Sequence, residues 1–457
     1  MIHKFKQNNY NVVLDVNSGA IHLVDSVAYD LLDYVAPNSY FPEFKSLNLD
    51  KLRSKYKSSE LESAYEDIKN LYEFGLLFSK EDEENFNKLN KSLKTAPVKS
   101  MCLNIAHDCN LKCKYCFAST GDFGTSRKLM SEKVAKKSID FLIKNSGSRH
   151  NLEVDFFGGE PLINFEVIKD TVMYARGLEK KCNKNFRFTV TTNGLLLKDD
   201  VIDFINKEMS NVVLSMDGRK EINDFCRKTN SDKGSYDVIV PKFQKLVNNR
   251  KDKDYYIRGT FTKRNLDFSK DVMHLNDLGF EQISVEPVTC EKTSVFAIRE
   301  KDLEKIKNEY ENLTNLMINV RKNGKYFNFF HFMLDLDSGP CILKKLKGCG
   351  CGVEYVAVTP EGDIYPCHQF VGKDEWKMGN VLDDTFNLKL REVFINANIY
   401  IKKDCKRCWA KFYCSGGCNA NNFNENKDIL KPHKIMCELQ KKRLECAVIL
   451  KLEELNA

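Results

Sequence analysis

The sequence predicts an α/β protein built on a partial (β/α)6 barrel, with a small mixed unit before the barrel and a cysteine-rich region after it. Three observations support this prediction. Strand and helix patterns alternate from about residue 100 to residue 320, the first 95 residues have hairpin and helix signals of their own, and nine of the 17 cysteines fall between Cys341 and Cys437. We therefore predict domains at residues 1–95, 96–325 and 326–457.

The N-terminal unit combines a hairpin with helices. Two apolar runs flank Asn17-Ser18-Gly19, a turn sequence typical of a β-hairpin. Residues 28–36 have apolar side chains at helical spacing, and residues 58–78 begin with a serine cap, continue as an amphipathic helix and stop at Gly75 before a short strand. These elements predict a compact winged-helix-like unit, followed by a charged linker over residues 80–99.

The barrel region alternates six apolar or β-branched runs with amphipathic helical patterns, which indicates βαβ units around a parallel sheet. In such sheets, functional groups gather at the carboxyl ends of the strands. The six runs lie at residues 101–106, 152–157, 186–192, 211–216, 255–262 and 282–288, and the helical patterns between them include residues 131–145, 163–182 and 199–209.

The bulk composition is that of a soluble globular protein, with 42% apolar and 30% charged residues. The net charge of +7 is spread along the chain and lysines alternate with acidic residues, so we expect no nucleic-acid binding. No apolar run is long enough to span a bilayer and no signal-peptide core is present, which predicts a cytoplasmic protein without a membrane partner. In a reducing compartment, 17 cysteines indicate metal or redox chemistry rather than disulfides.

The stretch CNLKCKYCF places Cys109, Cys113 and Cys116 directly after the first barrel strand. A structural zinc site takes four ligands, usually as two separated pairs, and disulfides use cysteines in twos. Three thiolates this close together suit a cubane iron–sulfur cluster whose fourth iron is open to another ligand. A zinc knuckle or an unrelated cluster loop is the alternative interpretation.

This spacing, the aromatic Tyr115 and the position after the first strand resemble the radical S-adenosylmethionine (radical SAM) enzymes. The resemblance implies that Cys109, Cys113 and Cys116 hold the catalytic [4Fe–4S] cluster and that SAM chelates its open iron. It also implies that one electron cleaves SAM to a 5′-deoxyadenosyl radical, which removes a hydrogen atom from the substrate.

Residues at the ends of other predicted strands also resemble motifs of this family. Gly158-Gly159-Glu160-Pro161 matches its GGEP element, whose backbone carbonyls and carboxylate would accept hydrogen bonds from the amino group of SAM. Ser215 and Asp217 resemble the ribose ligands, and Arg227 matches the cation that pairs with the SAM carboxylate. The implied cofactor-binding residues are Tyr115, Phe117, Gly158, Gly159, Glu160, Thr191, Thr192, Asn193, Ser215, Asp217 and Arg227.

A second cysteine constellation lies near the C-terminus. Taken alone, its CxxC pair with two further cysteines could be a zinc ribbon, but Gly362, Cys367 and the preceding cysteines resemble the SPASM auxiliary-cluster domain. That resemblance implies two auxiliary [4Fe–4S] clusters, and three clusters in all. Auxiliary cluster II would take Cys405, Cys408, Cys414 and Cys437, and auxiliary cluster I would take Cys367, Cys418 and Cys349, with Cys341 and Cys351 as less certain ligands. If only three sulfurs bind cluster I, a substrate thiolate could coordinate its open iron.

The N-terminal segment YNVVLDVNSGAIHLVDSVAYDLLDYV resembles PqqD-like peptide-recognition domains, in which an extended leader peptide adds to an exposed strand edge. A nucleic-acid-binding winged helix is the alternative, although the unit lacks a basic recognition helix. End to end the chain resembles the maturases of SCIFF peptides, closest in MIHKFKQNNYNVVLDVNSGAIHLVD and CGVEYVAVTPEGDIYPCHQFVG.

The resemblance to SCIFF maturases implies a thioether bond from a cysteine sulfur to the α-carbon of a partner residue, typically threonine. The implied partners are a Cys-rich precursor peptide, bound through its leader, and a flavodoxin or ferredoxin-type electron donor. The sequence identifies no catalytic base; His368, Asp155 and Glu286 are candidates that could equally be structural. The alternatives are a sulfatase formylglycine maturase, a peptide C–C crosslinker, a non-catalytic iron–sulfur electron carrier and a zinc-binding scaffold.

Overall fold

A computed structural model of the protein describes residues 1–35, 37, 40–81, 93–334, 336 and 342–455. Most of the predicted linker and the candidate ligand Cys341 lie outside the described residues. No helix among the described residues is long and apolar enough to cross a membrane.

The described part of the N-terminal unit contains a three-stranded antiparallel sheet and α-helices that follow it in the chain. These are β1 (Ile2–Gln7), β2 (Tyr10–Asp15), β3 (Ile21–Leu23), α1 (Ser26–Leu31), α2 (Asp50–Arg53) and α3 (Ser58–Glu73). The predicted hairpin is confirmed, because β2 pairs antiparallel with β3 around the Asn17-Ser18-Gly19 turn. Strand β1, which pairs with β2 over its whole length, was not predicted.

Three local predictions for this unit are wrong. The strand after Gly75 is absent from the described residues, because Gly75 (φ 70°) and Phe78 (φ 53°) adopt left-handed conformations that an extended strand cannot contain. Helix α1 ends at Leu31, well before residue 36. Ser58 is the first residue of α3 rather than its cap, and the backbone N–H of Lys57 donates to the Glu60 carboxylate (2.8 Å).

The barrel region confirms the predicted architecture of six parallel strands with intervening helices. In chain order its strands are β4 (Ser100–His107), β5 (Leu111–Cys113), β6 (Lys128–Leu129), β7 (Asn151–Gly158), β8 (Asn185–Thr192), β9 (Asn211–Ser215), β10 (Arg227–Thr229), β11 (Asp254–Phe261), β12 (Gln282–Pro287) and β13 (Asn328–Phe329). Its helices are α4 (Glu132–Asn145), α5 (Phe165–Cys182), α6 (Asp199–Glu208), α7 (Lys220–Cys226), α8 (Tyr236–Asn248), α9 (Phe268–Asp277) and α10 (Leu303–Lys322).

Strands β4, β7, β8, β9, β11 and β12 lie side by side in that order, and each neighbouring pair is parallel. The sheet is open rather than closed on itself, so the barrel is partial. Alternate residues such as Val154 and Phe156 pack against the outer helices in the main core. The residues between them, including Asp155 and Phe157, therefore face the inner side of the sheet.

Over its described residues, the C-terminal region adds four short strands and six α-helices. These are α11 (Ile342–Lys347), β14 (Tyr355–Val358), β15 (Asp363–Tyr365), β16 (Gly379–Asn380), β17 (Thr385–Phe386), α12 (Leu388–Asn396), α13 (Lys403–Lys406), α14 (Lys411–Cys414), α15 (Asn419–Asn426) and α16 (Lys434–Leu455). The sequence EYVAVTPEGDIYP (residues 354–366) predicts a short hairpin, which is confirmed as β14 paired antiparallel with β15. Strand β14 also pairs in parallel with β4, so this region continues the barrel sheet.

Apart from that hairpin, the Gly/Cys-rich sequence from about residue 341 predicts loops with little regular structure, and this prediction is wrong for the last helix. Helix α16 has 22 residues and is apolar on two sides. Leu439 and Leu450 pack into the barrel core, whereas Val448 and Ile449 pack against the N-terminal sheet. A helix buried on two sides does not show the single apolar stripe by which an amphipathic helix is recognised in a sequence.

Candidate functional site

The three cysteines after β4 lie together beside a small two-stranded sheet. Cys113 ends β5, which pairs antiparallel with β10 so that Cys113 lies opposite Arg227. The N–H of Cys116 donates to the carbonyl of Cys113 (3.1 Å), and the Asn193 amide donates to the Cys109 sulfur (3.7 Å). Burial and the neighbouring thiols raise the pKa of Cys109 to about 12 and that of Cys113 to about 11.

The glycine turn after β7 packs directly against the chain that leads to Cys109. The N–H of Gly159 donates to the carbonyl of Ala106 and that of Glu160 to the carbonyl of Asp108, both at 2.8 Å. A Cβ on Gly158 would lie 2.3 Å from the Ala106 oxygen, and one on Gly159 would lie 2.2 Å from the Asp108 oxygen. Both positions therefore need glycine, because any side chain would push the cysteine loop away.

The Glu160 carboxylate ties the end of β7 to the end of β8. It is fully buried and accepts hydrogen bonds from the Thr192 hydroxyl (2.8 Å), the Asn193 N–H (2.7 Å) and the Leu162 N–H (3.1 Å). Burial raises the pKa of Glu160 to about 7, although the three hydrogen-bond donors act in the opposite direction and lower it. Thr191 alternates with Thr192 along β8 and therefore faces the inner side of the sheet.

A buried polar triad joins the cysteine loop to the ends of β9 and β10. The Tyr115 hydroxyl contacts both carboxylate oxygens of Asp217 at 2.7 Å, and Arg227 donates to the Tyr115 oxygen (3.0 Å). Asp217 also accepts from the N–H of Thr260 in β11 (3.1 Å). Burial raises the pKa of Asp217, although Arg227 opposes the shift. Ser215, at the end of β9, is half-buried on the inner side.

One nitrogen of Arg227 has no partner among the described residues. Arg227 is 9% exposed, and its buried Nε atom finds no hydrogen-bond acceptor in the described part of the chain. A buried, unpaired guanidinium nitrogen is costly. A carboxylate bound beside Cys113 would satisfy it, so the residues here fit the amino-acid end of a sulfonium cofactor.

Aromatic side chains lie on the inner side of the barrel, next to the cysteine loop. The Phe157 and His368 rings lie 4.9 Å apart, and Phe117, which is 45% exposed, lies 5.6 Å from His368. The Tyr355 hydroxyl lies 3.4 Å from His368 Nδ1. Burial lowers the pKa of His368 to about 4, so its ring is neutral at neutral pH.

The other two candidate bases have opposite electrostatic surroundings. Burial raises the pKa of Asp155 to about 7, which puts this inner-side carboxyl near its titration midpoint at neutral pH. Burial would also raise the pKa of Glu286, but the charges of Arg258, His331 and Arg443 outweigh it and lower that pKa to about 2. Glu286 is therefore ionised and pairs with Arg258 (3.2 Å).

Sequence reasoning missed two arginines whose charges act on Glu286, namely Arg258 and Arg443. Arg258 alternates with apolar residues along β11, and a charged residue inside a barrel strand is the signal that could have revealed it. Arg443 comes from α16 and donates to the Tyr310 hydroxyl (2.8 Å). Because α16 itself was not predicted, no signal in the sequence placed Arg443 near the barrel.

Four cysteines of the C-terminal region form one group. Burial, and after it the negative charge of Cys367, raises the pKa of both Cys349 and Cys418, and the interaction with Cys367 also raises the pKa of Cys351. Cys349 and Cys418 are exposed, whereas Cys351 and Cys367 are buried. The candidate Cys341 lies outside the described residues.

A second group contains the other four predicted ligands. Burial, together with the charges of Cys414, Cys405 and Cys408, raises the pKa of Cys437 to about 12. Burial likewise raises the pKa of Cys405 to about 11, with Cys414 and Cys408 as further causes. The charges of these thiols therefore act on one another.

Two buried lysines fit negative groups at these thiols. Lys402 is 1% exposed and donates to the Gly416 carbonyl (2.8 Å) and the Asn419 side chain (2.7 Å) near both groups. Lys347 is 7% exposed, and its Nζ has no hydrogen-bond partner among the residues that the structure describes. Burial lowers its pKa to about 7, while Cys351 opposes the shift. An iron–sulfur cluster with thiolate ligands carries negative charge and would compensate the buried ammonium groups.

The arrangement is unlike a mononuclear metal site. Within the described ranges, no group of three or more His, Cys, Asp or Glu side chains converges on one point as a single ion requires. A cubane cluster binds each thiolate at a different corner, so its ligands surround a larger volume.

Comparisons with known proteins agree with this geometry. Residues 103–260 match the family model of the radical SAM superfamily, and residues 349–409 match that of SPASM, an iron–sulfur cluster-binding domain. A cysteine-type anaerobic sulfatase-maturating enzyme of Clostridium novyi (strain NT) is 26% identical over 334 residues, covering 69% of this chain and 86% of that protein.

Two solved structures share the fold. Native anSMEcpe with bound AdoMet has a TM-score of 0.65 at 21% identity and covers 78% of this chain and 100% of that one. Streptococcus suis SuiB bound to S-adenosylmethionine has a TM-score of 0.53 at 17% identity and covers 94% of this chain and 97% of that one. These likenesses confirm the predicted fold class.

Proposed function

Since the chain combines a radical SAM domain with a SPASM domain, we propose that it is a peptide maturase. In the proposed reaction it forms a thioether bond in a ribosomally made Cys-rich (SCIFF) precursor peptide. The bond joins a cysteine sulfur to the α-carbon of a partner residue, typically threonine. The observation that carries this proposal is an open strand edge in the N-terminal unit, which suits the backbone of an extended leader peptide.

The open edge belongs to β3. Among the described residues β3 pairs with β2 alone, so its other edge has unpaired backbone groups. Leu23 is 47% exposed on this strand, and Leu76 is 42% exposed nearby, where its carbonyl accepts from the His22 ring (2.9 Å). A leader segment can add here as a fourth strand, with main-chain hydrogen bonds for affinity and these leucines for apolar contact.

The proposed domains keep their sequence-based limits of 1–95 for leader recognition, 96–325 for the barrel and 326–457 for the auxiliary clusters. The proposed cofactors are SAM and three [4Fe–4S] clusters. When bound, the reduced cluster at Cys109, Cys113 and Cys116 and SAM together supply a 5′-deoxyadenosyl radical that abstracts hydrogen from the substrate.

The residues around the SAM position then have distinct tasks. The unpaired Nε of Arg227 supports its assignment to the SAM carboxylate. Asp217 stays the proposed ribose ligand, and Tyr115 orients its carboxylate. Glu160 already accepts three protein hydrogen bonds, so its main contribution is to hold the β7 and β8 ends in register beside the cysteine loop.

For auxiliary cluster I, the grouping of four thiols supports Cys349, Cys351, Cys367 and Cys418 as the complete ligand set. A cluster with four protein thiolates has no open iron, so this grouping speaks against direct coordination of the substrate thiolate. Auxiliary cluster II keeps its proposed ligands, Cys405, Cys408, Cys414 and Cys437.

Of the three candidate bases, Asp155 is best matched to accept the proton of the donor thiol. Its raised pKa of about 7 is close to the pH at which a cytoplasmic enzyme works. Glu286 is held ionised by Arg258 and His368 is a weak base, so both are better suited to positioning the peptide.

A sulfatase maturase is the second candidate function, because the Clostridium novyi relative has that activity in its name. The N-terminal unit favours the peptide maturase, since a folded sulfatase substrate does not require a leader-binding strand edge. A peptide C–C crosslinker keeps the same leader-binding requirement and differs only in the bond formed. A non-catalytic electron carrier would not need the buried Tyr115, Asp217 and Arg227 triad.

The test combines two readouts in one anaerobic reaction. The reconstituted protein, dithionite, SAM and a Cys-rich precursor peptide should yield 5′-deoxyadenosine and a peptide that has lost two hydrogens per crosslink. Cys109→Ala should abolish both products, while Cys182→Ala, on α5 and outside the three cysteine groups, should keep both.

The outcomes separate the candidates. Loss of modification when the leader is removed from the peptide, with SAM cleavage intact, supports the leader-binding edge. SAM cleavage with an unchanged peptide mass rejects the SCIFF assignment, and formylglycine in a sulfatase-derived peptide supports the second candidate. Absence of 5′-deoxyadenosine from a fully reconstituted sample rejects an enzyme and favours the electron carrier.

A further inference from the structure

Three apolar side chains form a patch at the surface, at the open end of the barrel sheet. Tyr256 lies on β11, whereas Phe330 and Met333 follow β13, the last described strand at that end. Phe330 is 48% exposed and Met333 is 50% exposed. The Tyr256 and Phe330 rings lie 5.4 Å apart, and the Tyr256 hydroxyl lies 3.8 Å from the Met333 sulfur. We call these three side chains the apolar patch.

The apolar patch borders the interior of the barrel. Ile257 and Phe261 of β11 pack into the main core. Tyr256 and Arg258 alternate with them along the strand and therefore lie on the inner side of the sheet. The Arg258 side chain is 45% exposed and pairs with Glu286 of β12 (3.2 Å). Solvent thus reaches the inner side of β11 next to the patch.

The segment after Phe330 connects the apolar patch to the proposed leader-binding strand. Leu336 lies three residues after Met333 and packs in the same apolar cluster as Ile21 of β3. Three residues of chain span at most about 11 Å. A peptide that leaves the open edge of β3 is therefore within reach of the patch.

Strand β11 leads from the apolar patch to the proposed SAM site. The N–H of Thr260 donates to Asp217, the proposed ribose ligand (3.1 Å). Thr260 lies four residues after Tyr256 on the same strand and faces the same side. Since a strand rises about 3.3 Å per residue, the two positions are about 13 Å apart. An extended peptide covers this distance with about four residues.

We propose that the apolar patch is a subsite for one apolar side chain of the precursor peptide, located about four residues on the leader side of the acceptor residue. This inference rests on the proposed function, because it requires a leader on β3 and a radical formed at the SAM site. Aromatic and methionine side chains are typical of contact surfaces, and methionine adapts its shape to the partner. The Arg258 guanidinium beside the patch offers donors to the peptide backbone.

A second copy of this chain is the less suitable occupant. Each partner of a stable complex buries about 800 Å². Three partly exposed side chains contribute roughly 300 Å² at most, which is close to the area of one large apolar side chain. The size of the patch therefore favours a single peptide residue.

The experiment measures binding of labelled peptides to the reconstituted holoenzyme by fluorescence anisotropy, without SAM or reductant. One peptide is the leader alone. The others are the Cys-rich precursor with a single phenylalanine placed in turn at each position between the leader and the acceptor threonine, and alanine at the remaining positions.

Two variants are compared with wild type. Phe330→Ser and Met333→Ser are combined in the patch variant. Met173→Ser and Val238→Ser, exposed apolar residues on the outer helices α5 and α8, are combined in the control variant. Iron content and circular dichroism verify that both variants are folded and reconstituted.

Wild type should bind the peptide with phenylalanine about four residues before the threonine about 10- to 100-fold more tightly than the other precursor peptides. The patch variant should bind all precursor peptides alike, because serine offers no apolar contact to the phenylalanine. The control variant should keep the wild-type preference. All three proteins should bind the leader alone with the same affinity, since the leader edge is unaltered.

A wild type without a positional preference overturns the inference, as does a patch variant that keeps the preference or a control variant that loses it. A patch variant that dissociates an oligomer in sedimentation while its peptide binding stays unchanged overturns it in favour of a second copy. Failure of wild type to bind the leader alone rejects the leader-binding edge, and the inference with it. The leader peptide thus separates failure of the proposed function from failure of the patch.

Discussion

Substitution of Gly159 by alanine should disturb the cysteine loop without touching any cysteine. The new Cβ would lie 2.2 Å from the Asp108 carbonyl oxygen and 2.8 Å from the Gly121 Cα atom. Since an ordinary carbon–oxygen contact is about 3.3 Å, the backbone before Cys109 must retreat by roughly 1 Å. Asp108 is the direct neighbour of Cys109, so the proposed cluster ligand moves with it.

The energetic cost follows from two contributions. Overpacking a rigid backbone contact costs about 1–3 kcal/mol. The hydrogen bond from the Glu160 N–H to the Asp108 carbonyl, 2.8 Å long, stretches when the loop retreats. Its weakening adds about 1 kcal/mol, for a total of about 2–4 kcal/mol.

The assay is urea denaturation of the metal-free protein followed by circular dichroism, together with iron content after reconstitution. Gly159→Ala should lower the denaturation midpoint and the iron content. Gly177→Ala is the matched control, because Gly177 lies in α5 with open space around its Cβ position and should gain about 0.5–1 kcal/mol from helix propensity. An unchanged midpoint and full iron content for Gly159→Ala would refute the close-approach reasoning.

Three further predictions concern side chains. Tyr115→Phe removes the hydroxyl that contacts both Asp217 oxygens, so SAM binding measured by equilibrium dialysis should weaken about tenfold; unchanged affinity would contradict this. Asp155, with a folded pKa raised from 3.8 to about 7, binds its proton more tightly folded than unfolded, so it reduces stability progressively as the pH rises from about 4 to 7. Asp155→Asn should therefore flatten the denaturation midpoint across that pH range, and an unaltered slope would refute the pKa assignment. Cys351→Ala should lower iron content and change the auxiliary-cluster EPR signal, whereas Cys446→Ala, on α16 and outside the thiol groups, should change neither; equal iron in both would exclude Cys351 as a ligand.

Much of the barrel could be predicted because its signals are local. Alternation of Leu152, Val154 and Phe156 with more polar residues marks β7 as a strand with one face against the helices. The spacing of Cys109, Cys113 and Cys116 lies within a single loop, so it also needs no tertiary information.

The parts of the fold and the site that could not be predicted depend on contacts between distant parts of the chain. Helix α16 is buried on two sides, and the pairing of β14 with β4 joins residues more than 250 positions apart, as in Tyr355 with Ser100. The left-handed conformation of Phe78 ended a strand that its apolar neighbours predicted. The position of Cys351 beside Cys367 depends on a turn whose geometry the CGCG sequence alone does not specify.

The parallel pairing of β14 with β4 has a consequence for how the molecule can be divided. Four residues of β4, from Ser100 to Leu103, bond to β14 on one side and to β7 on the other. A chain truncated before Tyr355 would leave one edge of β4 without a paired strand. The residues of β4 are buried in the full chain, so this exposed edge would promote self-association. The barrel and the cysteine-rich C-terminal region therefore share one sheet, and they should be expressed, purified and unfolded as a single piece.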